Sequence, residues 1–343
     1  MDFVRISFSL KELVRVGNDE IPITQKRCSA MKNLIGLIAA SCLLPTVSHA
    51  AETPIGTLVS YGDFSLHRLS ANGSHQDYWY GDFGVRLKAP QGATALSFGA
   101  YVGYTGFGTF EGTLDYAYPT AALVIESGRH EVSVGLPKSV LSDTFDRKDR
   151  LGNSILDLEI GFFTDMVLYA RLISDWIDET GNIYGVRYDT EWGDSSLSAG
   201  GFWGALDSEE FRSIQVAFEH RIRNWSLRAG AERADFFDGE TIDNFAIGAT
   251  GEKGRFSFGI DAYLTTSSLE RINYFELFGT YRATESIKAS VSHVSFDTIG
   301  SSFTTVSAEY TPNSSTFVRL STVFGLVNDG ADELFEASVG IRF

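Results

Sequence analysis

The sequence predicts an all-β chain folded as a transmembrane antiparallel β-barrel. Three observations carry that reading. From Ile55 to the last residue, apolar and polar side chains alternate in runs of about ten residues, the period of a strand with two unlike faces. Tight turns and longer Asp-, Gly- and Ser-rich loops separate these runs in alternation, as expected when one end of a barrel carries turns and the other carries loops. Although 43% of the 343 residues are hydrophobic, mean hydropathy is only -0.03, so the apolar residues are dispersed and cannot supply the ~20-residue blocks of a helical membrane protein.

The first residues stand apart from this pattern. Met31-Lys32-Asn33 followed by the apolar run Leu34 to Leu44 and by Ser48-His49-Ala50 has the basic, apolar and small-residue regions of an export signal. Residues 31-50 are therefore expected to be a signal peptide cleaved after Ala50. Residues 1-30, which carry charge ahead of it, are expected to be a mis-assigned upstream extension. Cys42 lacks the Leu-type residue three positions earlier that a lipidated cysteine would have, and Ala39 stands there. Cys28 and Cys42 both precede Ala50, so residues 51-343 hold no cysteine and fold without disulfides. Removing residues 1-50 leaves 22 basic and 40 acidic side chains, net -18. Such a balance excludes a nucleic-acid partner, which needs a basic face.

Sixteen runs follow, at 56-69, 77-88, 94-106, 116-126, 130-137, 182-192, 196-206, 210-222, 225-237, 243-252, 255-267, 271-283, 286-298, 301-312, 316-328 and 334-343. Each is justified by the same split. Phe256, Phe258 and Ile260 share one face against Ser257, Gly259 and Asp261; Val306, Ala308 and Tyr310 oppose Thr305, Ser307 and Glu309; Val318 and Leu320 oppose Arg319. Ser127-Gly128-Arg129, Gly193-Asp194, Arg223-Asn224, Thr284-Glu285 and Pro312-Asn313 mark the tight turns. Tyr78, Trp79, Tyr80, Tyr101, Tyr104, Trp203, Trp225 and Tyr281 lie near run ends, where interfacial aromatic girdles are expected. Glycine is frequent within the runs. In a barrel it is tolerated because every ladder is paired and an inserted loop or a neighbouring subunit can pack closely there.

The ending Phe335-Glu336-Ala337-Ser338-Val339-Gly340-Ile341-Arg342-Phe343 resembles the C-terminal signature of outer-membrane barrels, alternating and closing on an aromatic. Ser127 to Pro137 is similar to the hairpin that enters the constriction loop of the sixteen-stranded general porins of Gram-negative bacteria. Asn182 to Asp189, with Trp192 and Ser198 to Phe202, resembles the hairpin that leaves it. This resemblance implies export to the outer membrane, contact with its lipid, and assembly by the barrel-insertion machinery reading the segment that ends at Phe343. It further implies a homotrimer with a water-filled lumen for passive diffusion of small hydrophilic solutes and ions, and no cofactor or metal.

It also implies that residues 138-181 fold inward as a constriction loop, with loop carboxylates facing basic residues of the wall. The candidates are Asp143, Asp146, Asp149, Asp157 and Glu159 on the loop, and Arg86, Arg187, Arg228 and Arg319 on the polar faces of their strands. For each arginine, an ion pair within the wall is an open alternative. The net charge suggests a modest cation preference. Two other readings stay open: an eighteen-stranded substrate-selective channel, with 155-162 and 165-176 as a further hairpin, and a plugged barrel serving as an adhesin or structural surface protein.

Enzymatic readings fare worse. His67, His75, His130, His220 and His293 are isolated in sequence, and no HExxH or CxxC spacing occurs. Ser292 and His293 are adjacent on a strand and point to opposite faces, so they cannot act as nucleophile and base.

Overall fold

The computed structural model describes residues 50-71, 74-90, 96-109, 115-145, 182-206, 209-235, 239, 241-267, 271-296, 301-325 and 333-342. All fall within the compact unit His49-Phe343, the other unit being Met1-Ser48. The expected upstream extension, the expected signal peptide up to His49, and Phe343 lie outside the described residues, while Ala50, the last residue of that expected peptide, begins the first strand.

The strands are β1 (Ala50–Thr53), β2 (Gly56–Ala71), β3 (Ser74–Lys88), β4 (Leu96–Thr109), β5 (Asp115–Ser127), β6 (His130–Leu136), β7 (Asn182–Trp192), β8 (Ser195–Leu206) and β9 (Glu209–Ile222). They continue with β10 (Trp225–Asp235), β11 (Thr241–Lys253), β12 (Phe256–Thr266), β13 (Arg271–Arg282), β14 (Ile287–Phe296), β15 (Ser301–Tyr310), β16 (Thr316–Phe324) and β17 (Glu333–Arg342). One short helix, α1 (Val140–Phe145), follows β6. Each strand from β2 to β17 pairs antiparallel with the next. The ring closes where β17 pairs with β2, from Leu334↔Ala71 to Arg342↔Asp63. Closure satisfies the backbone donors and acceptors of both edge strands, the condition for a sheet in hydrocarbon. β1, which the sequence reading did not anticipate, is an extra strand beside the ring and pairs with the start of β2, Ala50 against Val59.

The sixteen runs and the sixteen wall strands coincide, with ends shifted by a few residues. At Gly128, Gly193 and Gly254 the tight turns need positive φ (61°, 57° and 63°), which glycine adopts without strain; Arg223 adopts 56° in the equivalent turn. Outward side chains are large and apolar: Ile214, Leu123, Ile247 and Phe256 are 72%, 69%, 63% and 57% exposed. Inward ones are polar and buried, among them Gln215, Glu232, Asp261, Glu276, Glu309 and Arg319. Exposed to water, such an apolar belt would cost about 25 cal/mol per Å². In a bilayer that cost vanishes, and the inside-out wall becomes the stable arrangement.

Two sequence expectations are corrected. Tyr78, Tyr80 and Tyr101 are not girdle residues. They share the inward parity of Arg86 or line the internal cavity, and Tyr78 stacks on the buried His67 ring at 4.5 Å. The aromatic belt at the turn end is instead formed by outward residues such as Trp192, Trp225, Phe256 and Tyr281. The eighteen-stranded alternative fails because β6 pairs directly with β7, His130↔Thr190 through Gly135↔Gly185, which leaves no gap for another hairpin between them.

Candidate functional site

The site begins where β6 stops short. Gly135 has φ 139°, and a Cβ there would lie 2.4 Å from the Ala121 carbonyl oxygen, so only glycine lets the chain bend off the wall here. Pro137 follows and donates no ladder hydrogen bond. The chain then turns into the lumen, held from three sides. Lys138 donates from its backbone N–H to the Tyr101 hydroxyl (3.1 Å) and from Nζ to Asp82 Oδ2 (3.0 Å). Ser139 Oγ and the Val140 N–H both donate to Gln215 Oε1, at 3.0 and 2.7 Å.

Gln215 is itself fixed. Its Nε2 donates to Glu232 Oε1 (2.7 Å), which also accepts from Ser213 Oγ (2.9 Å), while Asn244 Nδ2 donates to Glu232 Oε2 (2.8 Å). All of these wall groups are buried and inward-facing. A buried amide satisfied on both its donor and acceptor sides is a firm anchor, since moving it would strand several polar groups.

Helix α1 lays Val140, Leu141 and Phe145 against Ala217 and Ala246, with Tyr263 at the edge. The wall makes room by being small at these positions. A Cβ on Gly230 would stand 2.3 Å from Leu141 Cδ2, and one on Gly200 would stand 3.0 Å from Val140 Cγ2. Burying each such side chain contributes about 1.5–3 kcal/mol. On the other side of the helix, Asp143 accepts from Arg187 Nη2 at 2.7 Å. Arg187 is held in turn by Asp189, with Nε to Oδ2 at 2.8 Å and Nη2 to Oδ1 at 2.8 Å.

Beside the helix, toward the tight-turn end, lies a cavity of about 790 Å³ lined by Tyr61, Asp82, Arg86, Asp143, Arg187, Arg319 and further polar residues. The sequence-predicted arginines are placed as follows. Arg187 joins Asp143 on its rim. Arg86 bridges Glu126 and Glu131, the latter at 2.7 Å, both within the wall. Arg228 lies under Phe145 (5.5 Å from the ring centroid) and donates to Asp261 Oδ1 (3.1 Å) and Thr250 Oγ1 (2.9 Å). Arg319 donates to Glu309 Oε2 at 2.7 Å across one strand pair. Every one of the four therefore has a carboxylate partner, and among the described residues the one on the inserted segment is Asp143, held by Arg187. Asp146, Asp149, Asp157 and Glu159 lie outside the described residues.

Sequence reasoning missed the anchor residues Gln215 and Glu232, and it missed a second array. Ser65 Oγ is 2.6 Å from His67 Nε2, and His67 Nδ1 is 2.8 Å from Glu336 Oε1. The order is that of a hydrolytic triad. Yet all three groups are buried, Ser65 wholly so, none lines the cavity, and Tyr78 covers the imidazole. A nucleophile without approach does no chemistry, so the array serves as a tie across the β2–β17 seam. The spacing of Ser65 and His67, two apart on one face, was the available signal. Ser292 and His293 do not pair with each other in this way: His293 Nδ1 meets Thr304 Oγ1 at 2.9 Å.

This geometry defines a class: a closed sixteen-stranded transmembrane barrel with a chain segment packed inside it. Among solved structures, a double mutant of the Rhodopseudomonas blastica porin matches 83% of this chain and all of its own, with TM-score 0.59 and 13% identity. A triple mutant of the same porin matches with 0.58 and 13%. A loop L8 deletion mutant of OmpT, an outer membrane protein of Vibrio cholerae, matches 84% of this chain and all of its own, with 0.62 and 14%. At such identities the likeness is one of fold, and the fold is the porin barrel. No protein-family profile and no curated relative matches the sequence.

Proposed function

We propose that the protein is an outer-membrane channel through which small hydrophilic solutes and ions diffuse passively, and that it catalyses no reaction. The observation that supports this most strongly is the inside-out wall: an apolar belt outside, ion-paired polar groups inside, and a cavity of about 790 Å³ beside an inserted helix. Passage through such a lumen depends on its radius and on its lining charge. The constriction is the 138-181 segment, with Asp143 and Arg187 on its rim and the remaining loop carboxylates Asp146, Asp149, Asp157 and Glu159 contributing field. Residues 31-50 direct export, the segment ending at Phe343 is read by the insertion machinery, and the assembly is a homotrimer.

The test is single-channel conductance of residues 51-343 refolded into a planar bilayer, with reversal potential under a KCl gradient. Ohmic steps in groups of three with mild cation selectivity are expected. A heat-modifiable, folded barrel that passes no current would overturn the channel reading.

A further inference from the structure

We infer that the tight-turn rim from β9 to β14 is a docking arc for the headgroups of an anionic phospholipid, with Arg223, Lys253, Arg255 and Arg282 as its cations. The inference rests on the outer-membrane reading for the presence of lipid and needs no ion current.

Three consecutive turns make the arc, and backbone hydrogen bonds hold them side by side. The Glu252 N–H donates to the Asn224 carbonyl at 2.9 Å, which sets the β9–β10 turn against the β11–β12 turn. The Arg282 N–H donates to the Arg255 carbonyl, also at 2.9 Å, which sets the β11–β12 turn against the β13–β14 turn. Residues 221–225, 252–255 and 282–287 hold Arg221, Arg223, Lys253, Arg255 and Arg282 against Glu252 and Glu285. On the same rim, the described turns at 127–130, 193–194 and 311–315 hold Arg129 against Asp194. The whole chain carries a net charge of -16, so a cationic excess on one side of one rim runs against its composition.

Of these cations, Arg221 is committed to Glu219, Nε to Oε1 at 3.1 Å, and Arg255 Nη1 donates to the Ala283 carbonyl at 2.8 Å. Arg223, Lys253 and Arg282 are exposed and have no side-chain partner among the described residues. What lies beside them selects a lipid over a soluble anion. Lys253 is the cross-strand neighbour of Phe256. Phe256 packs on Tyr281 at 4.7 Å, and Trp225 meets Phe258 edge-on at 5.2 Å. All four rings are exposed on the outward face, and Ile247, Ile260 and Leu277 continue the apolar wall beyond them. Long cationic arms next to an aromatic girdle reach the depth of lipid phosphates while the acyl chains lie along the wall. A net negative headgroup is favoured there over a zwitterionic one, because it gains from each cation with no charge of its own to oppose it.

The experiment reconstitutes the full protein, purified from membranes, into dioleoyl phosphatidylcholine vesicles and adds phosphatidylglycerol or phosphatidylcholine with brominated acyl chains, which quench nearby tryptophan fluorescence. The share of quenching lost in Trp225→Phe reports the arc. That share should rise at a lower mole fraction of phosphatidylglycerol than of phosphatidylcholine, and added salt should shrink the difference. A cation at an anionic surface is worth about fivefold in binding, so Arg223→Gln combined with Lys253→Gln should lower the preference by at least about fivefold. Arg129→Gln, an exposed cation outside the arc, should leave it unchanged. Arg282→Gln serves as a second variant should the double substitution not give a heat-modifiable barrel. Equal quenching by the two lipids overturns the arc, as does a preference that survives these substitutions or falls as far in Arg129→Gln. Loss of the preference to inorganic phosphate at a concentration where sodium chloride of equal ionic strength has no effect overturns the lipid assignment. A barrel that prefers phosphatidylglycerol yet passes no current supports the arc and fails the channel reading alone, whereas a chain that forms no heat-modifiable barrel in any lipid overturns both.

Discussion

The wall from β8 to β11 and the wall from β15 through β17 to β2 obey the same alternation, yet they fill the lumen in opposite ways. Along β8 to β11 the inward positions include Gly200, Ala217, Gly230 and Ala246, and the space they leave is taken by α1. Along β15 to β2 the inward positions are Phe317, Arg319, Glu309, Glu336 and His67, which fill the space themselves and lock strand to strand. One wall is a socket and the other is a brace. Residue volume at inward positions, beyond polarity, decides which stretch of a barrel receives a loop.

That contrast can be broken by substitution, and the brace should break hardest. Glu309→Ala leaves Arg319 buried without its carboxylate, a change that costs about 3–5 kcal/mol. Urea unfolding followed by heat-modifiable gel mobility should show a lowered midpoint, and an unchanged midpoint would mean that the seam is not what holds the ring. Leu141→Ala removes a buried side chain of the socket and should cost about 2–4 kcal/mol of helix docking. Here barrel unfolding should be unmoved while conductance rises, and a fall in the barrel midpoint would erase the distinction between the two walls. Gln215→Leu strands the Ser139 hydroxyl and the Val140 N–H, at about 1–3 kcal/mol; amide exchange at Val140 should quicken while the strand amides stay protected. Asp143→Asn removes a half-exposed charge from the rim and should change stability by less than about 1 kcal/mol. Its effect belongs in the reversal potential, which should move toward anions.

Much of the wall was legible because period two is a local property. Phe256, Phe258 and Ile260 announce an outward face whatever they pair with, and Asp261 announces the opposite one. The mistakes arose where position along a strand was weighed without parity: Tyr78 and Tyr80 sit near a strand end, but their even spacing from Arg86 sends them inward. The contacts that make the site were harder to see. Gln215 is an ordinary polar residue in an alternating run, and nothing local distinguishes it as the anchor of Val140, 75 positions away. Arg319 was visible as inward, but its bond to Glu309 depends on two strands arriving in one register.

The tie from His67 to Glu336 joins residues 269 positions apart. Loop closure over so long a stretch is slow, because entropy must be lost before the contact returns any stabilisation. Until residues 333–342 find β2, the growing sheet has two raw edges, each able to pair with another chain. The last strand therefore decides whether a nearly complete sheet becomes a closed ring or an aggregate, and the buried histidine clasp favours the ring once the two edges meet.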